Sequence, residues 1–343
     1  MIPLARHFPV RTHCKNVRSP VRYNSGNFCP FVFFRGTFKN FTKNTQHNLS
    51  GNIYLAAVFP LKDIQIEFMQ KAVFVGFFLL AAFNSYSQYY YNDIVSAKES
   101  NRIFAALKQN NIHHVSATSV ESDNTPVQGF SYNRRIENNG ALVITSTELA
   151  TTGSSVTYEY YAGDRLVKSI DSSFRVATTV NYKYNDQGNI ASIETQTDDT
   201  SMNVHSVEVH QWFYTGGLPD SMLRIKEGAD TTFVRLIRDE EQNVTEELWI
   251  KKGKTLERYY YYYNDQSQLT DIVRFNYKAQ QMLPDFLFQY DNNGIVSQMT
   301  QVPQGSSDYV IWQYIYDNRG LKVKDVLFDK RQELLGTVTY SYQ

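Results

Sequence analysis

The residues of this chain best able to do chemistry are carboxylates, histidines and rows of aromatic rings. Asp265, Asp291 and Asp317 recur in one turn pattern, whereas a glycosidase needs two carboxylates facing one another across a cleft. Recurrence at equivalent turn positions assigns these residues to turn formation rather than to an acid–base pair. Asp291-Asn-Asn-Gly294 has the outline of a calcium loop but lacks its alternating acids and distant Glu. His113 and His114 are adjacent, and His205 and His210 stand at an odd separation. On strands each pair points to opposite faces, so neither makes a same-strand metal pair, and all four read as ordinary strand residues. The chain beyond residue 88 contains no Walker-type loop, dinucleotide fingerprint, Gly-x-Ser-x-Gly elbow or His-Glu-x-x-His. It therefore offers no catalytic residue, no metal site and no cofactor site, and reads as non-enzymatic. What remains is aromatic: Trp212, Tyr214, Tyr261, Tyr263, Trp312 and Tyr314 form rows suited to stacking on sugar rings or receiving an extended peptide. The same rows would equally serve as the packed face of a sheet.

An internal repeat positions these rings. Tyr182-Lys-Tyr-Asn-Asp-Gln-Gly188, Tyr261-Tyr-Tyr-Asn-Asp-Gln-Ser267, Phe288-Gln-Tyr-Asp-Asn-Asn-Gly294 and Tyr314-Ile-Tyr-Asp-Asn-Arg-Gly320 are its clearest copies. With the second aromatic as anchor the series is Tyr132, Tyr160, Tyr184, Tyr214, Arg238, Tyr263, Tyr290, Tyr316 and Tyr342. Aromatics at i and i+2 share one face of an extended chain, and the Asn/Asp/Gly cluster that follows reverses it. A second reversal falls about halfway to the next copy, at Asp198-Asp199, Glu227-Gly228, Lys252-Gly253, Gln304-Gly305 and Asp329-Lys330. Each repeat is thus a hairpin. The expected fold is mainly β, an antiparallel meander of about nine hairpin repeats forming a long curled or wrapped sheet. In the run Tyr259 to Tyr263, three rings fall on one face and two on the other. One short helix is expected before the repeats, over Asp93 to Gln109, with Ile103, Phe104 and Leu107 as its apolar strip and Asn110-Asn111 as its stop. Its expected place is against the open sheet edge formed by Ile112 to Val120.

Tyr290-Asp-Asn-Asn-Gly294 and Tyr316-Asp-Asn-Arg-Gly320 resemble the Tyr-Asp (YD) repeats of RHS-type proteins, and the resemblance covers residues 130 to 342. It implies β-sheets that wind into a shell, enclosure of a C-terminal toxin in large members, and an association with carbohydrate binding. This chain departs from the pattern at Asn185 and Asn264 (for Asp), Ser267 (for Gly) and Arg238 (for Tyr). It is too short for a closed shell of that kind, and it stops within a repeat, leaving no room for a toxin.

Charge divides the chain. Residues 1–68 hold nine basic residues against two acids and both cysteines, Cys14 and Cys29. They lack sustained periodicity and read as a disordered, mis-annotated upstream extension. Residues 69–87 read as a signal peptide: Lys71, an apolar run from Ala72 to Phe83, and small Ser85 and Ser87 before a cleavage point near Ser87. The twelve-residue run is far short of the ~20 needed to span a bilayer. Residues 88–111 then form the helical cap and 112–343 the YD-like β-repeat domain. Residues 88–343 carry 24 basic against 32 acidic residues, which opposes binding to a phosphate backbone. The expected molecule is a secreted or periplasmic, cell-envelope binding or scaffolding protein without a transmembrane anchor, its partner a carbohydrate or an envelope protein. The alternatives are a carbohydrate-active protein and a shortened RHS-like component of a toxin system.

Overall fold

Each repeat turns because one side chain organises the reversal. Asp291 Oδ1 accepts hydrogen bonds from the backbone N–H groups of Asn293 and Ile295, both at 2.9 Å, and Asp317 Oδ1 accepts from Arg319 and Leu321, both at 3.0 Å. Asn264 Oδ1 does the same for Gln266 and Gln268, and Asn185 Oδ1 for Gln187 and Asn189. Asn264, and not its exposed neighbour Asp265, is therefore the turn former in that copy. One position in each turn takes positive φ: Gly188, Ser267, Gly294 and Gly320 at 79°, 55°, 76° and 74°. Glycine holds that conformation without strain, so Ser267 is the costly member of the set. The intervening reversal at Lys252-Gly253 has positive φ at both residues, as a two-residue hairpin loop requires. At the expected Asp198-Asp199 reversal the strand instead runs on to Asp199, and the chain turns over 200–203.

A computed structural model describes residues 88–343 except 174, 277–279 and 304–307. These belong to the second of two units into which the chain divides, Met1–Phe59 and Pro60–Gln343. The upstream extension (1–68), the signal peptide (69–87) and the Gln304-Gly305 turn lie outside the described residues. Eighteen antiparallel strands are found among those described, from β1 (His114–Glu121) to β18 (Leu334–Tyr342), each paired with its neighbours in sequence. β1 pairs on one side with β2 (Ser131–Glu137) and on the other with β18, through Val115↔Arg134 and Val115↔Tyr342. The long curled or wrapped sheet expected from the repeats is therefore a closed barrel, which corrects the expectation that the chain is too short to close. Eighteen strands at about 4.8 Å spacing give a perimeter of about 86 Å, and so a diameter of about 27 Å before tilt. Closure also removes both edges.

Side chains alternate in and out around the wall. Along β10 (Asp230–Arg238), Thr232, Val234 and Leu236 are buried between exposed Thr231, Phe233, Arg235 and Ile237. On β12 (Lys254–Tyr263), Tyr259 and Tyr261 are buried whereas Tyr262 is exposed. The repeat anchors sit at β-bulges, where an extra residue tightens the bend: register shifts fall at Tyr184, Tyr214, Arg238, Tyr263, Tyr290 and Tyr316. A further bulge between Tyr160 and Tyr161 on β4 (Gly153–Ala162) makes buried Tyr161 the anchor of that copy, in place of Tyr160.

No edge remains for the helix to cover, and its predicted capping role is corrected accordingly. It lies in the lumen. A π-helical turn, Tyr90–Val95, leads into α1 (Ser96–Gln109). Asn110 ends the helix by donating from Nδ2 to the Ala106 carbonyl at 2.8 Å, and Asn111 takes a positive φ of 52°. The helix touches inward-facing residues far apart around the wall: Asp93 meets His210, Phe104 stacks on Tyr161, and Leu107 packs with Val115 and Leu321.

Candidate ligand site in the barrel lumen

A helix about 10–12 Å across cannot fill a barrel about 27 Å wide, so the large wall side chains and the position of the helix decide where space is left. The helix leans on one half of the wall. Tyr89 stacks on Trp249 with centroids 4.4 Å apart, Phe104 on Tyr161 at 3.8 Å, and Ile94 and Ala97 join a core with Trp212, Met222, Val234 and Ile272. Opposite lies a cavity of about 690 Å³, within the range of small-molecule sites.

One stripe of the helix, Lys98, Glu99 and Arg102, faces a wall of rings formed by Tyr132, Tyr290, Tyr314, Tyr316, Tyr340 and Tyr342. Several of these tyrosines already have structural duties. Tyr290, Tyr316 and Tyr342 donate their hydroxyls to the carbonyls of Leu269, Val296 and Lys322 at 2.7, 3.1 and 2.5 Å. Tyr184, Tyr214 and Tyr263 make the same latch elsewhere in the wall, to Leu166, Ile190 and Val244. Each of these six anchors thus reaches back to the start of the preceding strand, which explains why the repeat keeps a tyrosine there and presents its ring rather than its hydroxyl to the lumen. The Tyr161 hydroxyl makes no such bond. Where Arg238 replaces Tyr no such latch forms, and its Nε and Nη2 have no hydrogen-bond partner.

The cavity is cationic in residue type yet nearly neutral in effect. Arg102 pairs with Glu99 and Arg134 with Glu159, at 2.7 and 2.8 Å. Burial works against the Arg134 charge, but Glu159 more than restores it. Lys322 donates to buried Asp325 at 2.9 Å and sits over the rings of Tyr314 and Tyr340, 4.9 and 5.3 Å from their centroids. Tyr340 also donates to Asp325, at 2.8 Å. Burial raises the Tyr314 hydroxyl well above its ordinary pKa, so it stays protonated and able to donate.

Of the six aromatic residues singled out in the sequence, only Tyr314 lines this cavity. Trp212 is buried and donates from Nε1 to Asp93 at 2.9 Å; Tyr261 is buried and donates to Glu247 at 2.7 Å. Tyr214 and Tyr263 are latches, and buried Trp312 packs at a separate small crevice beside Leu327. The row is thus divided between core, latch and cavity.

Two polar centres anchoring the helix escape a sequence reading. Glu247, on β11 (Val244–Lys251), is fully buried and takes four donors: the N–H groups of Tyr89 and Tyr90, Trp249 Nε1 and the Tyr261 hydroxyl. His210 departs from the expected ordinary strand role. It is buried between Asp93 at 2.7 Å and Glu208 at 2.8 Å. Burial lowers its pKa, but the two carboxylates outweigh burial and hold it at about 9. Burial would raise Glu208, yet His210 and Arg224 pull it down to about 2. No group of three or more metal-ligating side chains is placed to hold a metal ion among the described residues.

No protein-family model matches this chain, and no curated protein matches it. Among solved structures, a porin-like protein from Bacteroides uniformis aligns over 68% of this chain and 98% of its own at 10% identity, with a TM-score of 0.33. A porin-like protein from Bacteroides vulgatus covers the same shares at 12% identity and a TM-score of 0.27. The Tc holotoxin pore of Photorhabdus luminescens aligns over 62% of this chain at 12% identity and a TM-score of 0.25, with only 15% of that much longer chain matched. Similarity this loose carries nothing about function, which has to come from the lumen itself.

Proposed function

We propose that this chain is an exported, non-enzymatic β-barrel of the cell envelope that holds a small neutral saccharide in its lumen. The observation carrying this reading is the cavity of about 690 Å³ between a wall of tyrosine rings and the charged stripe of α1. Ring faces suit the C–H faces of a sugar, while Tyr314, Arg102 and Glu99 can hydrogen-bond its hydroxyls. A free anion is less suited, because three of the four lining cations, Arg102, Arg134 and Lys322, have a carboxylate partner already, and the fourth, Lys98, is exposed. An acyl chain is less suited too, because it would have to lie along the charged stripe. Glycoside hydrolysis needs two facing carboxylates, and Glu99 is the one carboxylate among the described residues lining the cavity. The repeat's likeness to YD repeats fits the same reading.

No helix among the described residues is long and apolar enough to cross a membrane. The outer wall carries exposed Arg135, Arg235 and Arg258 in mid-strand, and each would cost about 2–4 kcal/mol at a bilayer midplane. We therefore place the barrel in water after export, with processing near Ser87.

Titration of the exported protein with neutral di- to tetrasaccharides, a hexuronic-acid oligosaccharide and a medium-chain fatty acid tests the proposal. Tyrosine fluorescence is the readout. A neutral sugar is expected to bind and to lose at least about tenfold in affinity in Tyr314→Ala, equivalent to about 1.4 kcal/mol. Binding only of the acid or the lipid would replace the ligand class; binding of none would remove the lumenal role.

A further inference from the structure

The lumenal segment begins beside a buried carboxylate, Glu247, whose hydrogen-bond donors carry no positive charge. Gln88 is 1% exposed; its Nε2 donates to Asp285 Oδ2 at 2.7 Å, while its buried Oε1 has no hydrogen-bond partner. One residue on, Tyr89 and Tyr90 donate their backbone N–H groups to the two oxygens of Glu247, at 2.9 Å each. Asp285 has Arg274 at 3.0 Å. All four donors to Glu247, in contrast, are neutral, and burial pushes its carboxyl above the usual range. A buried carboxylate without a counter-charge and a buried carbonyl without a donor are both costly. The carbonyl belongs to the residue just before the two whose N–H groups Glu247 accepts, and one group that is both cation and donor would answer both.

We propose that this group is the α-ammonium of Gln88, which, as the mature N-terminus, pairs with Glu247, donates to Gln88 Oε1 and fastens the segment Gln88 to Asp93 inside the barrel. The inference rests on the reading that export ends in cleavage before Gln88. The Gln88 nitrogen lies one residue ahead of the Tyr89 nitrogen, a Cα step of about 3.8 Å, which keeps it in reach of the carboxylate. An ammonium there has three donors and a full charge; a peptide nitrogen has one donor and none. The open Gln88 side chain is also required, since cyclisation onto the α-nitrogen would expel Nε2 as ammonia and leave Asp285 with Arg274 in place of two donors. Arg238, unpartnered at Nε and Nη2, acts on the Tyr90 side of the same region and is the competing cation.

The test uses the full chain, exported and processed. Its intact mass and N-terminal sequence are expected to give Gln88 with no loss of ammonia. A second chain, with Gly-Ser inserted after Ser87, carries its ammonium two residues farther out and is expected to melt at least about 4 °C lower. Glu247→Gln is then introduced into both. It should destabilise the chain ending at Gln88 but be neutral or stabilising in the extended chain, where Glu247 has lost its counter-charge. Equal losses in both backgrounds would assign Glu247 a purely hydrogen-bonding role and overturn the proposal, as would unchanged melting on extension or a reversal abolished by Arg238→Gln. A terminus elsewhere would instead overturn the cleavage reading, leaving lumenal ligand binding to its own titration.

Discussion

The two halves of the lumen are built from the same repeat and used in opposite ways. From β4 to β13 (Leu269–Asn276) the inward side chains close on the helix, with Tyr161, Trp212, Met222, Val234, Trp249 and Ile272 buried against it or in the same core. From β14 (Gln281–Tyr290) through β18 to β2, the inward tyrosines face the cavity instead. The repeat therefore fixes the wall, while the single lumenal helix determines which half is core and which half is open. Buried polar groups follow the same division. Glu247 and the Asp93–His210–Glu208 chain hold the helix to the filled half, whereas the pairs around the cavity belong to wall strands and to the helix stripe that faces them.

The largest expected break in this comparison is Phe104→Ala. Phe104 is fully buried and stacked on Tyr161, so its loss should cost about 3–5 kcal/mol in chemical denaturation. Met299→Ala, on the cavity side and only partly buried, should cost much less. Equal losses would mean that the two halves are equally packed.

A smaller effect separates the halves by pH. His210 is raised from 6.5 to about 9 in the fold, so its contribution is complete below pH 6.5 and is lost as pH rises toward 9. Glu208 is lowered from 4.5 to about 2, so its contribution is present above pH 4.5 and is lost on acidification toward 2. The lock should be strongest between about pH 4.5 and 6.5. Melting temperature should fall from pH 6.5 to 9 in the native protein more steeply than in His210→Gln. Parallel curves would remove His210 from the lock.

Much of the wall was legible in the sequence because it is local. An aromatic at the strand end, an Asx side chain four or five residues before the next apolar residue and a turn residue with positive φ lie within a few positions of one another. Closure was not legible, because it depends on the total perimeter and on what occupies the lumen. The Tyr160-for-Tyr161 anchor error has a local cause, a bulge that shifts facing by one residue. His210 was missed because Asp93 stands 117 positions away, and Glu247 because nothing near it in sequence separates it from the other acids. The cavity has no sequence signal of its own: it is the difference between a wide barrel and one narrow helix. Tyr314 entered the candidate row through its ring type and spacing, while the reasons for excluding Trp212 and Tyr261, their bonds to Asp93 and Glu247, are tertiary.

The latch offers a finer probe that should treat both halves alike. Tyr316→Phe on β16 (Val310–Tyr316) removes one hydroxyl from the cavity side and Tyr214→Phe one from the other, each donating to a wall carbonyl. Each should cost about 1 kcal/mol. The reverse change, Arg238→Tyr, restores the repeat residue where Nε and Nη2 now lack partners, and should gain a similar amount.

A modest stability effect should accompany the largest functional one. Tyr314→Ala enlarges a space that is already open, so it should cost less stability than Phe104→Ala by at least about 2 kcal/mol, while removing a ring and a donor from the saccharide site. Tyr261→Ala is its counterpart in the filled half: that ring is buried and its hydroxyl donates to Glu247, so folding should suffer first and any loss of binding should follow it. Measuring stability and saccharide affinity for the two variants decides whether the rings of one repeat have divided their work. Both losing stability with binding intact would make the tyrosine wall a core throughout. Tyr314→Ala losing binding at near-native stability, with Tyr261→Ala unstable, would locate the ligand in the space the helix leaves free.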